Sequence, residues 1–334
     1  MDTKPIVIAE AGVNHNGSLE LAYRLVDVAL ASGADFVKFQ TFRTEALVTR
    51  EAPKADYQKR ATGHVETQFE MLKRLELPKS AFAELAQYCA GKNIGFLSTP
   101  FDIDSARFLA GLGMSAFKVS SGDLTNMPFL RELGAMCSPI ILSSGMATLG
   151  DIEDAVSTLE RAGTSLDRIT LLHCTTEYPA PVDEVNLRAM LTMAAAFPAA
   201  TIGYSDHTEG IDIPIAAVAL GARVIEKHFT LDRAMEGPDH KASLEPTELA
   251  AMVASIKRVS GALGNGRKLP SASEIPNRLI ARKSIVAARP IVRGELLTAD
   301  NLAVRRPGNG ISPTRWDEMI GQPAARDYAQ NEAI

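Results

Sequence analysis

Eight short apolar stretches recur along this chain, each running into a knot of polar residues, and helical patterns separate them. The stretches cover 6–9, 36–39, 94–97, 116–119, 139–142, 169–172, 201–204 and 224–226. Regular strand–helix alternation implies a parallel sheet, and eight units imply closure into a (β/α)8 TIM barrel. The polar knots are Glu10, Asn14 and His15; Lys38 and Gln40; Ser98 and Thr99; Lys118, Ser121 and Asp123; Ser143 and Ser144; His173, Thr176, Glu177 and Tyr178; Ser205, Asp206 and His207; and Glu226, Lys227 and His228. Strand C-termini of such a barrel converge on one face, where the chemistry is done. The pattern therefore predicts an enzyme.

Between the strands, Ser18 opens a helix that Gly33 closes, with Leu21, Leu25, Val28 and Ala29 on one face. Ser80 reads as the cap of a second helix ending at Gly91, and Leu249, Met252, Val253, Ile256 and Val259 line one side of the last. The polar insertion from Thr44 to about Gln68 is too long for an ordinary connection, so an active-site loop is expected there. At 334 residues the chain accommodates one barrel of about 250 residues and a small second domain. We expect the barrel over 1–262, a linker rich in Gly, Ser and Pro over 263–280, and a small β-rich domain over 281–334. Short β-type runs at 284–287 and 302–304 fall in that last part. So small a unit buries little surface, should dock on something larger, and suits a lid.

Composition excludes several classes. A net charge of −5 with no basic stripe argues against nucleic acid. The N-terminal run lacks the features of a signal peptide, and no apolar stretch reaches membrane length, so a cytoplasmic protein with no membrane partner is expected. Cys89, Cys137 and Cys174 are odd in number and widely spaced, which fits reduced thiols.

Ten motifs in order then resemble the sialic acid synthase family. They are the run from Ile8 to Gly17; Val37 to Phe42; Ser98 to Asp102; Lys118 to Asp123; Ser144 to Ala147; His173 to Pro179; Ser205 to His207; Glu226 to Phe229; Gly237 to His240; and Arg306 to Gly310. Together they span nearly the whole chain. The resemblance implies condensation of phosphoenolpyruvate with an N-acylated hexose, a divalent metal, and a C-terminal antifreeze-like (SAF) domain that is swapped across a homodimer. N-acetylmannosamine is the first acceptor to consider, and 2,4-diacetamido-2,4,6-trideoxymannose, giving N,N'-diacetyllegionaminate, the alternative.

Under that resemblance Lys38, Thr99, Lys118, Ser121, Thr176 and Ser205 match the positions that hold phosphoenolpyruvate. Two ammonium groups with several hydroxyls suit its phosphate and carboxylate. Thr176 stands where some members have Asn. Glu10 is the expected stabiliser of a cationic centre, and Asp123, in place of a Glu, the acid/base. Gln40, Tyr178 and Asp239 would face the sugar, and Arg306 matches the arginine that reaches its N-acyl group in a neighbouring barrel. His207 and His228 end adjacent strands and look like a two-His site for Mn²⁺, with Co²⁺ or Mg²⁺ as alternatives, open to water and an aldehyde. A class I Schiff-base aldolase using Lys38 or Lys118, and a non-catalytic carbohydrate-binding protein, are the competing classes.

Overall fold

The computed structural model describes residues 4–62 and 66–334. They form two compact units, Met1–Asn265 and Gly266–Ile334. In the first, eight parallel strands are β1 (Ile6–Gly12), β2 (Phe36–Thr41), β3 (Gly95–Pro100), β4 (Phe117–Val119), β5 (Ile140–Ser143), β6 (Ile169–Cys174), β7 (Thr201–Asp206) and β8 (Val224–His228). Their order is β3-β2-β1-β8-β7-β6-β5-β4, so β1 pairs with β8 and the sheet curls into a nearly closed TIM-type barrel. β3 and β4 lie side by side at the seam. Most strands run one or two residues further than their apolar stretches, because backbone ladders continue under the polar side chains of the mouth.

The helices follow the strands. α1 (Leu19–Ala31) starts where Ser18 Oγ accepts from the Leu21 amide, as its sequence predicts. The insertion after β2 is not bare loop: it carries α2 (Thr44–Leu47), α3 (Asp56–Thr62) and α4 (Gln68–Leu75), residues 63–65 lying outside the described set. A capping box between Thr67 and Glu70 fixes the start of α4. α5 (Lys79–Lys92) begins with Pro78 at its cap, so Ser80 is helical and not the cap expected. Around the rest of the barrel run α6 (Ile103–Gly111), α7 (Met127–Ala135), α8 (Leu149–Ala162), α9 (Ala189–Ala196), α10 (Asp212–Ala219) and α11 (Pro246–Leu263).

Side chains alternate across each strand, which gives the barrel two cores. Outward residues such as Val7, Ala9, Val37 and Phe39 pack with Leu25, Leu85, Leu133 and Met252 of the helical ring. Inward residues Ile8, Leu97, Leu172 and Val224 form the barrel's own interior cluster, joined by Phe36, Ala116 and Ile141.

The second unit pairs β9 (Ser284–Ala287) antiparallel with β10 (Leu302–Arg305) around a core including Ile285, Ile291, Leu302 and Tyr328. Helix α12 (Glu274–Ala281) occupies the stretch read as linker. Pro276 falls in its first turn, where a missing N–H removes no helical bond, so proline there does not stop a helix. A last short helix is α13 (Trp316–Met319).

Candidate active site

Two residues beyond the interior apolar cluster the strands turn polar, except β6, where Leu172 is followed by Cys174. Ile8 is followed by Glu10, Phe36 by Lys38, Leu97 by Thr99, Ala116 by Lys118, Ile141 by Ser143 and Val224 by Glu226. Strand periodicity thus carries the polar set to the same inward face as the core, at the mouth of the barrel. These residues line one cavity of about 340 Å³, together with Gln40, Ser121, Thr176, Tyr178, Ser205, His207, His228 and Asp239. Of the fourteen residues assigned from sequence, the mouth gathers twelve.

The floor is a charge network with Glu226 at its centre. Lys38 Nζ lies 2.8 Å from Glu10 Oε2 and 3.7 Å from Glu226 Oε2, while Lys118 Nζ lies 3.5 Å from Glu226 Oε1. Lys38 also donates to Thr99 Oγ1 at 3.0 Å, Lys118 to Ser143 Oγ at 2.7 Å, and Ser205 Oγ to Glu226 at 3.0 Å. All of these side chains are buried. Burial raises Glu10 from the ordinary carboxylate range to about 7, although Lys38 pulls the other way. Burial would also raise Glu226, but Lys118 and Lys38 outweigh it and hold that carboxyl below its usual value. At neutral pH two lysines therefore face one firmly ionised carboxylate, with Glu10 near its midpoint. Such a cavity favours an anion. Thr176 Oγ1 is buried without a hydrogen-bond partner, and Ser121 Oγ accepts from the Gly145 amide at 2.9 Å.

The histidines stand at the ends of β7 and β8, with ring centroids 5.5 Å apart. His207 Nδ1 is 2.7 Å from the Thr175 carbonyl, an acceptor only, so Nδ1 carries a proton and Nε2 is the nitrogen left for a ligand. His228 Nδ1 is buried with no hydrogen-bond partner, and burial, reinforced by His207 and Lys38, holds its ring well below the usual pKa and hence neutral. Asp239 Oδ2 lies 3.9 Å from that nitrogen. An unpaired imidazole nitrogen beside a second imidazole with a free nitrogen is donor chemistry that fits a divalent ion. Among the described residues no group of three or more His, Cys, Asp or Glu is arranged to hold a metal, so an ion here would rest on two protein donors. Tyr178 stacks over His207 at 4.0 Å between centroids and meets His228 edge-on. Cys174 Sγ is 3.7 Å from His207 Nδ1, a proximity that sequence spacing did not reveal.

Behind the histidines, on the opposite face of the strands, Lys227 and Asp206 form a pair with no exposed surface at 2.5 Å. Asp206 also accepts from Tyr204 Oη and from both the amide and hydroxyl of Thr208, and Lys227 donates to the Thr208 carbonyl. The pair ties the ends of β7 and β8 together next to each histidine.

Two of the fourteen residues are elsewhere. Asp123 does not line the cavity: its oxygens are taken by Ser120 Oγ at 2.9 Å and Asn126 Nδ2 at 3.2 Å in a single 3-10 turn, and its arm is a methylene shorter than Glu. Arg306 belongs to the second unit, exposed just past β10. Sequence reasoning gave no role to Glu226, although its position two residues before His228 on one strand face was the available signal. It also missed the residues of the insertion that line the cavity, Leu47, Val48, Tyr57, Gln58, Met71 and Leu72 among them.

A barrel whose mouth combines buried lysines, hydroxyls, a carboxyl near neutrality and paired imidazoles is the frame of an enzyme acting on a small anion. The chain belongs to the NeuB family, the sialic acid synthases: the model of the NeuB family matches residues 25–268, and that of the SAF domain matches 282–334. It is 51% identical to the N,N'-diacetyllegionaminic acid synthase of Campylobacter jejuni over 99% of both chains. Identity to the enzyme of the same name from Legionella pneumophila is 45%, over 94% of this chain and 89% of that one. Among solved structures it is similar to the N-acetylneuraminic acid (sialic acid) synthetase of Leptospira borgpetersenii, with a TM-score of 0.73 and 36% identity over 83% of this chain and 90% of that one.

Proposed function

We propose that this enzyme condenses phosphoenolpyruvate with an N-acylated mannosamine-type sugar to give a nonulosonic acid and phosphate. The observation that carries the reading is the convergence of Lys38 and Lys118 on one buried carboxylate beside His207 and His228. Phosphoenolpyruvate brings a phosphate and a carboxylate, and charge-assisted bonds from the two lysines, with Thr99, Ser121, Thr176 and Ser205, are suited to both. For the acceptor, the greater identity to two diacetyllegionaminic acid synthases supports 2,4-diacetamido-2,4,6-trideoxymannose ahead of N-acetylmannosamine, reversing the order taken from sequence. A phosphoenolpyruvate-dependent route also supports a cytoplasmic enzyme, since that metabolite is made there.

The chemistry assigns work to particular atoms. C3 of phosphoenolpyruvate attacks the C1 aldehyde, leaving cationic character at C2; water adds at C2, and the resulting hemiketal phosphate collapses by C–O cleavage. Glu10, with a pKa of about 7, is suited to stabilise the cation and to take the proton of that water at neutral pH. Gln40 Nε2 donates to Glu10 Oε1 at 3.3 Å and orients it. His207 and His228 would hold a divalent ion, Mn²⁺ first, which would supply Lewis acidity toward the acceptor's aldehyde. Tyr178 and Asp239 are placed to line the sugar's side of the cavity. Lys118, drawn below its usual pKa by burial against the pull of Glu226, is the one observation favouring a Schiff-base aldolase instead.

Phosphoenolpyruvate labelled with ¹⁸O at the bridging C2–O position tests the route. The label should leave in inorganic phosphate, and label retained in the sugar acid would refute C–O cleavage. Chelation should abolish turnover and Mn²⁺ or Co²⁺ restore it. Unchanged rates after chelation in both His207→Ala and His228→Ala would remove the metal from the scheme. Borohydride should trap no lysine adduct.

A further inference from the structure

The cavity's charged groups all lie on its barrel side, and the insertion side, apart from Tyr57, Gln58 and Gln68, is aliphatic. The insertion between β2 and β3 adds Leu47 and Val48 from α2 and its cap, and Met71, Leu72 and Leu75 from α4. Met71 and Leu75 are anchored in a separate apolar cluster with Val13, Phe42, Leu47 and Phe101, so the wall is built and held in place rather than draped. Leu47, Val48 and Leu72 are only half-buried and thus keep surface for a ligand. A phosphoenolpyruvate cradle has no use for five aliphatic side chains.

We propose that this apolar wall receives the C6 end of the acceptor and selects a 6-deoxy sugar over its 6-hydroxy counterpart. The inference rests on the synthase reading above and adds to it the residues that choose the substrate. Condensation requires the aldehyde C1 to reach the anion held by the lysines. In an open-chain hexose C6 is the carbon furthest from C1, so it extends away from the polar floor toward the insertion. A methyl group there buries apolar surface against Leu47, Val48 and Leu72. A hydroxyl at the same place must give up its water, and none of these three side chains offers a hydrogen bond to replace it. Gln68, at the start of α4 and also in the wall, offers the amide chemistry that a 4-acylamino group pairs with. One oxygen against an aliphatic wall is worth on the order of 10–100-fold in kcat/KM.

The test uses a matched pair, N-acetylmannosamine and its 6-deoxy analogue, on the full-length Mn²⁺-loaded protein. The wild type should favour the 6-deoxy sugar by at least 10-fold, and Leu72→Asn should shrink that ratio at least 5-fold with KM for phosphoenolpyruvate unchanged. Val48→Thr, which is nearly isosteric, should shrink it in the same direction and guards against misfolding of the first variant. A wild type that favours the 6-hydroxy sugar, or folded variants with the wild-type ratio, would overturn the wall's role while leaving the synthase intact. If the wild type condenses neither sugar, nor the diacetamido sugar, with phosphoenolpyruvate, the functional reading falls and the inference with it.

Discussion

Burial raises the Asp239 carboxyl from the ordinary value of 3.8 to about 6, so its ionisation opposes folding. Between those two values the folded protein holds a proton that the unfolded chain has released, and stability must fall as pH rises through that window. Asp239→Asn removes the effect. Relative to wild type, the metal-free variant should gain about 2–3 kcal/mol between pH 4 and pH 7 in urea unfolding; a difference that does not change with pH would contradict the burial of this group. Lys227 presents the opposite case. Its loss strands Asp206 as an uncompensated charge with no exposed surface, so Lys227→Met should cost about 3–5 kcal/mol. A cost under about 1 kcal/mol by the same method would mean that the pair is not closed off from water.

At the level of elements, the loop after β5 meets the loop after β6 at Gly145. A Cβ there would lie 2.0 Å from Thr176 Oγ1 and 2.8 Å from Ser121 Oγ, two hydroxyls proposed above to hold phosphoenolpyruvate. Gly145→Ala should therefore displace both and lower kcat/KM for phosphoenolpyruvate by about 100-fold, and a variant with wild-type kinetics would show that the cradle is looser than its geometry. Elements also show what the sequence made legible. Apolar patterning located strands such as that over 139–142, because Ile140 and Leu142 pack outward against the helices while Ile141 joins the barrel interior. It stopped short at 224–226, since Lys227 and His228 look like loop residues although the ladder runs through His228. The helices of the insertion were hidden for a different reason: Leu47, Met71 and Leu75 are too sparse to show a period, and only their tertiary meeting makes a core. Likewise the place of Glu10 and His207 at the barrel mouth could be read from strand ends, whereas the hydrogen bonds that engage Asp123 with Ser120 and Asn126 are local contacts that no spacing encodes.

For the whole molecule, the second unit leaves Ile275, Leu279 and Ile280 of α12, and nearby Leu269, more than half exposed. Large apolar side chains left together in water mark a surface suited to a partner, and the swapped homodimer expected from the family resemblance would supply one. Light scattering should give twice the chain mass, and Arg306→Ala should chiefly raise KM for the acylated acceptor, since it would touch a remote part of the substrate. An active monomer in which Arg306→Ala is kinetically silent would rule the swap out.

The aliphatic wall and its supporting cluster come mostly from one unbroken stretch of chain inserted between two barrel strands, whereas the charged floor is assembled from many strands across the sheet. Change therefore meets unequal resistance in the two halves of the cavity. The floor cannot be altered at one strand without disturbing ion pairs to others, while the insertion can be exchanged as a cassette. If the wall contacts the sugar as proposed, exchanging the insertion would change the sugar accepted and leave the charged floor as it is.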